Sequence, residues 1–256
     1  MKVTIITVTH NSALYLQDCI NSVVMQTYPD IEYIVIDGFS TDGTIDIIKS
    51  YNNHIVKWIS EEDHGMYDAI NKGMQLATGD VIGILNSDDM LASKEVVASI
   101  VHCFEKKKVD SLYGDLVYVD RLNPQKIIRF WKGLPYNRFR FHYGWMPAHP
   151  TFYFKRSLLK ELGGYETHYF TASDYEFMAR YLYRYRISAA YLPKLIVKMR
   201  AGGQSNNTIQ SRLRANRRDY LAMKVNNIPF PHIASVLKPL IKVKQFYHTL
   251  FKKAKE

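Results

Sequence analysis

The chain has 256 residues, room for one large domain or two small ones. Its 47% hydrophobic and 23% charged residues exclude a disordered or fibrous protein. No stretch approaches the roughly 18 to 20 consecutive apolar residues of a membrane span. The formal charge of +10 is unevenly divided: residues 1–100 carry 5 Lys/Arg against 14 Asp/Glu, and residues 101–256 carry 29 against 10. Acids gathered in one half and bases in the other suit a metal or nucleotide site facing a polyanionic or membrane-bound partner. Two cysteines make neither a disulfide framework nor a metal cluster. The apolar run Val3–Val8 is too short for a signal peptide, so the expectation is a protein made and kept in the cytosol.

In chain order, Val3–Val8 reads as a strand buried on both faces. Asn11 or Ser12 is placed to cap a helix bearing Leu16, Ile20 and Val23. Tyr33–Ile36 is a second strand, followed by a helix carrying Ile45, Ile47 and Ile48. Val56–Ile59 is a third, followed by a helix over Met66–Leu76. Val81–Leu85 is a fourth, followed by a helix over Lys94–Phe104 with Ser93 as its cap. Strand then helix, four times over with short connections, predicts an α/β fold with a mostly parallel sheet flanked by helices.

Past residue 105 the rhythm breaks. Ser111–Val119 and Ile127–Trp131 read as hairpin strands, followed by an aromatic, basic loop from Leu134 to Met146. A strand over Thr151–Phe154 comes next, then helices near Ser157–Leu162 and Ser173–Tyr183. Ile187–Leu192 and Leu195–Met199 read as late strands. Helices over Ile209–Val225 and from Pro239 onward complete a mixed C-terminal half with a helical tail. The expected division is a domain over 1–205, with halves 1–105 and 106–205, and a basic helical extension over 206–256.

Polar residues crowd where the early strands end: Thr9-His10-Asn11, Asp37 to Gly43, Ser60 to Gly65, and Asn86-Ser87-Asp88-Asp89. Ligands of an open parallel sheet bind beyond the carboxyl ends of its strands. One such cluster is ordinary turn chemistry; four in register describe the rim of one pocket. Asp88 and Asp89 repel each other unless a cation sits between them and a phosphate, and hard carboxylate oxygens suit Mg²⁺ or Mn²⁺. Asp37, a lone acid at a strand tip, is able to accept from a nucleobase N–H or to form an Asx-turn with Gly38. The spacing of Asp37 and Asp42 rejects the phosphatase signature. A dinucleotide Gly-x-Gly-x-x-Gly and a P-loop are both absent.

Together, Thr7-Val8-Thr9-His10-Asn11, Asp37-Gly38-Phe39-Ser40-Thr41-Asp42-Gly43-Thr44, Ser60-Glu61 with Asp63 and Gly65, Asp68-Ala69-Ile70-Asn71-Lys72-Gly73 and Leu85-Asn86-Ser87-Asp88-Asp89 resemble the family 2 nucleotide-sugar glycosyltransferases. The likeness is to members that build bacterial exopolysaccharide, capsule, colanic acid and O-antigen, and it runs from residue 1 to about 205. It implies a GT-A fold, a nucleotide-sugar donor (UDP favoured), Mn²⁺ or Mg²⁺, and inversion at the anomeric carbon. It also implies that Thr9, His10 and Asp37 hold the nucleobase, that Asp68 belongs with the nucleotide-binding residues, that Asp88 holds the ribose and that Asp89 binds the metal. On the acceptor side it points to His149 and Glu176 as candidates and to Asp174 as the general base, although Asp174 also stands where a helix N-cap would. Gly202-Gly203-Gln204-Ser205 matches a family Gly-Gly-x-Ser. A His that some relatives carry nearby is replaced by Met199-Arg200-Ala201.

Beyond Pro239, Leu240, Val243, Tyr247 and Leu250 recur at helical spacing, with Lys238, Lys242, Lys252 and Lys253 largely opposite. Such a helix either binds a membrane surface or docks on its own domain. The membrane reading fits the resemblance, whose members often use a glycan or polyprenyl-diphosphate-linked acceptor. It places the protein at the inner face of the cell membrane, with contact through 238–256. A nucleotidyltransferase would need a Gly-rich loop with Arg or Lys after the first strand, and Thr9-His10-Asn11-Ser12 is not one. A nucleic-acid-binding module would leave the acidic rim unexplained, so no nucleic-acid partner is expected.

Overall fold

The computed structural model describes residues 1–202 and 209–238. The N-terminal half follows the expected alternation: β1 (Val3–Thr9), α1 (Ala13–Val24), β2 (Ile31–Asp37), α2 (Thr44–Ser50), β3 (Lys57–Ser60), α3 (Met66–Leu76) and β4 (Val81–Asn86). A two-residue strand, β5 (Met90–Leu91), precedes α4 (Val96–Lys107). Then come β6 (Ser111–Val119), β7 (Ile127–Trp131), β8 (Tyr153–Lys155), α5 (Leu159–Leu162), α6 (Ser173–Met178), β9 (Ala189–Arg200) and α7 (Ile209–Val225).

The described strands form one sheet in the order β3-β2-β1-β4-β8-β6-β9-β5, with β7 paired to β6. β1 to β4 are parallel, whereas β8 runs antiparallel between β4 and β6. Alternate residues of a strand face opposite sides of a sheet. Accordingly Ile6, Val8, Ile34, Ile36, Ile82 and Ile84 pack toward α3 and the aromatic C-terminal half. Val3, Ile5, Tyr33, Val35, Val81 and Leu85 pack toward α1, α2 and α4 on the other face. Burial on both faces is why these strands read as unbroken apolar runs.

The structure corrects several sequence expectations. The two late strands are one, β9, which pairs in parallel with β6. Pro193 marks an irregularity in that pairing, where the register jumps from Tyr113↔Tyr191 to Asp115↔Leu195, and a bulge removes the ladder bond that proline could not donate. Ser12 stands at the N-cap of α1 without a side-chain capping bond, and Asp42 accepts from the Ala13 N–H at 3.1 Å in its place. Helix α4 starts later than expected, with Glu95 at its N-cap, while Ser93 Oγ meets only the Glu95 N–H at 3.4 Å. The helix expected over Ser173–Tyr183 is α6 continued by a π-turn over Ala179–Arg184. The expected helix from Pro239 onward and Gly203 to Ser205 lie outside the described residues.

Candidate functional site

Parallel register brings the first three strand tips into one row: Thr9 lies beside Asp37, and Asp37 beside Ser60. The Asp37 carboxylate is buried and accepts from the Ser40 N–H at 2.9 Å, Ser40 Oγ at 2.5 Å and Ser60 Oγ at 2.7 Å. Two oxygens offer about four acceptor positions, so one remains for a further donor. Thr9 Oγ1 is buried and has no hydrogen-bond partner, an unsatisfied group of the kind that a ligand completes. The His10 imidazole stands 2.8 Å from the Gly38 carbonyl and 3.2 Å from Asn11 Nδ2. A carbonyl only accepts, so Nδ1 carries the proton and Nε2 accepts from the amide.

Asp42 serves the loop rather than a ligand. It accepts from Thr44 N–H and Oγ1 as well as from Ala13, joining the starts of α1 and α2. Asp63 accepts from the Gly65 N–H at 2.8 Å at the entry to α3. Asp68, in the first turn of α3, accepts from the His64 N–H at 3.1 Å and lies 3.7 Å from Lys72 Nζ.

The turn after β4 carries the paired acids. Asp89 is fully buried; Oδ1 accepts from the Arg200 N–H at 3.2 Å and Oδ2 from Asn86 Nδ2 at 3.3 Å. Burial first, and then the charge of Asp88, push its carboxyl well above the usual carboxylate range, against those two bonds. A buried carboxylate raised by a second one beside it is a donor set that a divalent cation relieves, so the residues fit Mn²⁺ or Mg²⁺. Among the described residues no group of three or more His, Cys, Asp or Glu is placed to hold a metal. Mg²⁺ typically takes only one or two carboxylates, the rest of its shell coming from water and substrate phosphates.

Arg200 braces this turn from the end of β9. Its guanidinium donates to the Asp88 carbonyl at 2.9 Å and the Arg121 carbonyl at 3.1 Å, and pairs with Asp18 at 2.5 Å. Arg121 donates to Tyr15 Oη at 2.6 Å, and both guanidinium groups lie 4.9 Å from the Tyr15 ring centre.

Asp174 and His149, placed separately on the acceptor side by sequence, come together: His149 Nδ1 is 3.2 Å from Asp174 Oδ2. Burial, and next the charge of Asp174, push the Tyr67 phenol well above its ordinary pKa. Burial raises the Tyr118 phenol too, Arg129 pulls it down, and both Asp89 and Asp174 push it up. Asp88, Asp89 and Asp174 are the acids of the candidate cleft. Arg129 lies 3.7 Å over the Tyr118 ring.

Glu176 corrects the sequence expectation. Two residues along a helix are about 200° apart, so with Asp174 at the cleft Glu176 turns inward. It is buried, pairs with Arg180 at 3.0 Å and accepts from Asn226 Nδ2 at 3.3 Å. Arg180 in turn donates to the carbonyls of Leu162 and Gly164, tying α6 to the preceding turn. Arg200, Tyr118 and Arg129 were missed by sequence reasoning. Each stands in or beside an apolar strand, and the one available signal was the displacement of the relatives' His by Met199-Arg200-Ala201.

The family model described as Glycosyl transferase family 2 matches residues 4–163. A PGL/p-HBAD biosynthesis glycosyltransferase of Mycobacterium tuberculosis is 28% identical over 210 residues, covering 80% of this chain and 79% of that relative. An uncharacterized glycosyltransferase of the same species is 34% identical over 185 residues, covering 70% and 68%. Among solved structures, residues 1–349 of S. aureus TarS in complex with UDP-GlcNAc superpose with a TM-score of 0.69 at 21% identity, covering 90% of this chain and 67% of that one. The mannosyltransferase PcManGT from Pyrobaculum calidifontis, in complex with GDP-Man and Mn2+, gives 0.65 at 20% identity, covering 92% and 69%. These two structures share the fold of this chain, a GT-A fold.

Proposed function

The chain belongs to glycosyl transferase family 2 and is a glycosyltransferase using a nucleotide-sugar donor. On that premise we propose that it moves a sugar, with inversion, from a UDP-sugar to a hydroxyl of a glycan or polyprenyl-diphosphate-linked acceptor in bacterial surface polysaccharide synthesis. The observation that carries this reading is the turn after β4, where the buried Asp89 lies beside Asp88 at the carboxyl ends of the parallel strands, with the His149–Asp174 pair, 3.2 Å apart, as the acceptor-side candidate. It supports a cleft in which the leaving group departs on one side and the acceptor proton is taken on the other.

In this reading Thr9, His10 and Asp37 hold the nucleobase, with Asp68 on the nucleotide side and Asp88 at the ribose. The unpartnered Thr9 Oγ1 and the spare acceptor position of Asp37 support that role. Asp89 would hold Mn²⁺ or Mg²⁺, a cation that, once bound, offsets the negative charge building on the diphosphate. Asp174 takes the proton of the acceptor hydroxyl as that oxygen bonds to C1 and the C1–O bond to the diphosphate breaks. The electron pair leaves with the nucleoside diphosphate. A positioned carboxylate base contributes typically about 10²- to 10⁴-fold. His149 holds that carboxylate by one oxygen and the Tyr175 N–H by the other, whose second lone pair is left to the acceptor.

The same reading takes residues 1–205 as the catalytic domain and 206–256 as a basic extension, at the inner face of the cell membrane. Membrane contact through 238–256 rests on the sequence pattern, since only Lys238 of that segment is described. No helix among the described residues is long and apolar enough to cross a membrane.

Calorimetric titration of UDP, GDP and dTDP, with and without Mn²⁺, against wild type and Asp89→Ala tests the reading. Metal-dependent binding of one nucleotide, lost in the variant, is the expected result. No binding of any nucleotide under either condition overturns it.

A further inference from the structure

We infer that the surface formed by the turn Arg138–Tyr143, the end of α7 and the helix over 231–238 is a docking face for an anionic lipid bilayer. Three observations carry this. The first is exposed apolar side chains in helical register. In the helix over 231–238, Ala234 and Ser235 are buried, while Ile233 and Val236 are 55% and 63% exposed. At about 100° per residue the second pair points opposite to the first. Phe230, at the start of that helix, is 72% exposed and holds φ at +52°. Side chains this apolar cluster on a soluble surface where something covers them.

The second observation is continuity. A Cβ on Gly144 would stand 2.5 Å from the Ala234 carbonyl, so the turn that ends at Tyr143 lies directly against the helix. That turn exposes Phe139 and Tyr143 by 64% and 59%. Arg184 Nη1 reaches the Val225 carbonyl at 3.4 Å, which joins the π-turn after α6 to the same face. At the other edge Lys238 Nζ lies 4.1 Å over the ring of Tyr175, the neighbour of Asp174.

The third is charge. Residues 127–146, 179–186 and 220–238 together contain nine Lys or Arg and no Asp or Glu; Arg180 is buried against Glu176 and Lys238 pairs with Asp219, which leaves seven others. Asp219, just outside the last stretch, is paired with Lys238 at 2.6 Å. Aromatic and aliphatic side chains within a net basic field complement a membrane interface with anionic headgroups. A second copy of the chain, carrying the same positive charge, is repelled from this face. The inference rests on the transferase reading in one respect: a lipid-linked acceptor would be met at the membrane surface, with Asp174 one residue from the edge of the docking face.

Sedimentation of the full-length protein with vesicles of phosphatidylcholine, with or without roughly one-third phosphatidylglycerol, tests it. Wild type should bind the anionic vesicles and not the neutral ones. The triple variant Phe230→Ser, Ile233→Ser, Val236→Ser should bind at least about tenfold more weakly, with unchanged melting temperature and nucleotide binding. A charge variant, Arg186→Glu with Lys224→Glu, changes only exposed side chains and should weaken binding by about fivefold or more per reversed charge. Absence of wild-type binding, or equal binding by both variants, overturns the inference. So does a triple variant that changes only the oligomeric state, because the face would then be covered by a second copy. Nucleotide titration of the same samples reports separately on the transferase reading.

Discussion

His149 Nδ1 and Asp174 Oδ2 are 3.2 Å apart, joining the turn before β8 to the first turn of α6. An ionised carboxylate only accepts, so the imidazole donates. The other oxygen of Asp174 accepts from the Tyr175 N–H at 2.7 Å. With Asp174 as base and His149 positioning it, the two substitutions should separate. Asp174→Asn should lower kcat by about 10²- to 10⁴-fold and leave nucleotide binding intact. His149→Ala should lower kcat by about 10- to 100-fold, the worth of a hydrogen bond to a charged group, and alter the pH profile of kcat. His149→Gln, which keeps an N–H donor, should recover part of the loss. Full activity in Asp174→Asn would remove the base from this mechanism.

Arg200 stabilises the Asp88-Asp89 turn from inside. Its side chain is almost fully buried, whereas its partner Asp18 is about half exposed. The pair itself is therefore worth little, and Asp18→Asn should cost less than about 1 kcal/mol. Arg200→Met removes the donors to the carbonyls of Asp88 and Arg121 as well. It should cost about 2–4 kcal/mol by thermal or urea unfolding and weaken metal-dependent nucleotide binding. An Arg200→Met protein with wild-type stability would show that the turn needs no brace.

Much of this was legible in the sequence, and the limits are physical. The parallel half reads directly because each strand is a continuous apolar run ending in polar residues, and parallel register then lines up those ends. Thr9, Asp37 and Ser60 fall into one row for that reason. Asp174 and His149 were legible singly but not as a pair, since nothing in their spacing places the turn before β8 against the start of α6. Glu176 was misread because a motif ignores helical phase. Tyr118 and Arg129 carry no local signal, and Arg200 only the displacement of a His, since their neighbours come from strands that meet only in the folded sheet.

Glu32 shows that a buried acid can be structural when it lies at the opposite end of the sheet from the cleft. Burial alone would raise its carboxyl, but bonds from Thr4 Oγ1 at 2.5 Å, Thr78 Oγ1 at 2.6 Å, the Thr78 N–H at 2.7 Å and Lys2 Nζ at 3.2 Å bring it down from 4.5 to about 2. A carboxyl whose folded pKa is depressed contributes stability above its unfolded pKa and loses it as pH falls through the folded one. The contribution, about 3 kcal/mol, should therefore be complete above about pH 5 and vanish progressively between pH 4.5 and 2. Glu32→Gln should be less stable than wild type at pH 7 by an amount of that order, with the difference shrinking toward pH 2. A constant difference between pH 7 and pH 2 in urea unfolding would contradict this account.

Gly38 tests the proposed nucleobase rim without replacing any polar side chain. A Cβ there would lie 2.4 Å from Asp63 Oδ2 and 3.5 Å from His10 Nδ1. Gly38→Ala must push Asp63 outward, and because Asp63 sits in a partly exposed loop the fold can absorb this. The melting temperature should fall by no more than about 2–4 °C, the equivalent of about 1 kcal/mol in a chain of this size. Nucleotide affinity should fall by about tenfold, since the base would meet a displaced rim. Adding Asp63→Ala removes the clash and should restore part of that affinity, a coupling expected only of residues in contact. Unchanged affinity in Gly38→Ala, measured by calorimetry, would place the nucleobase away from the tips of β1, β2 and β3.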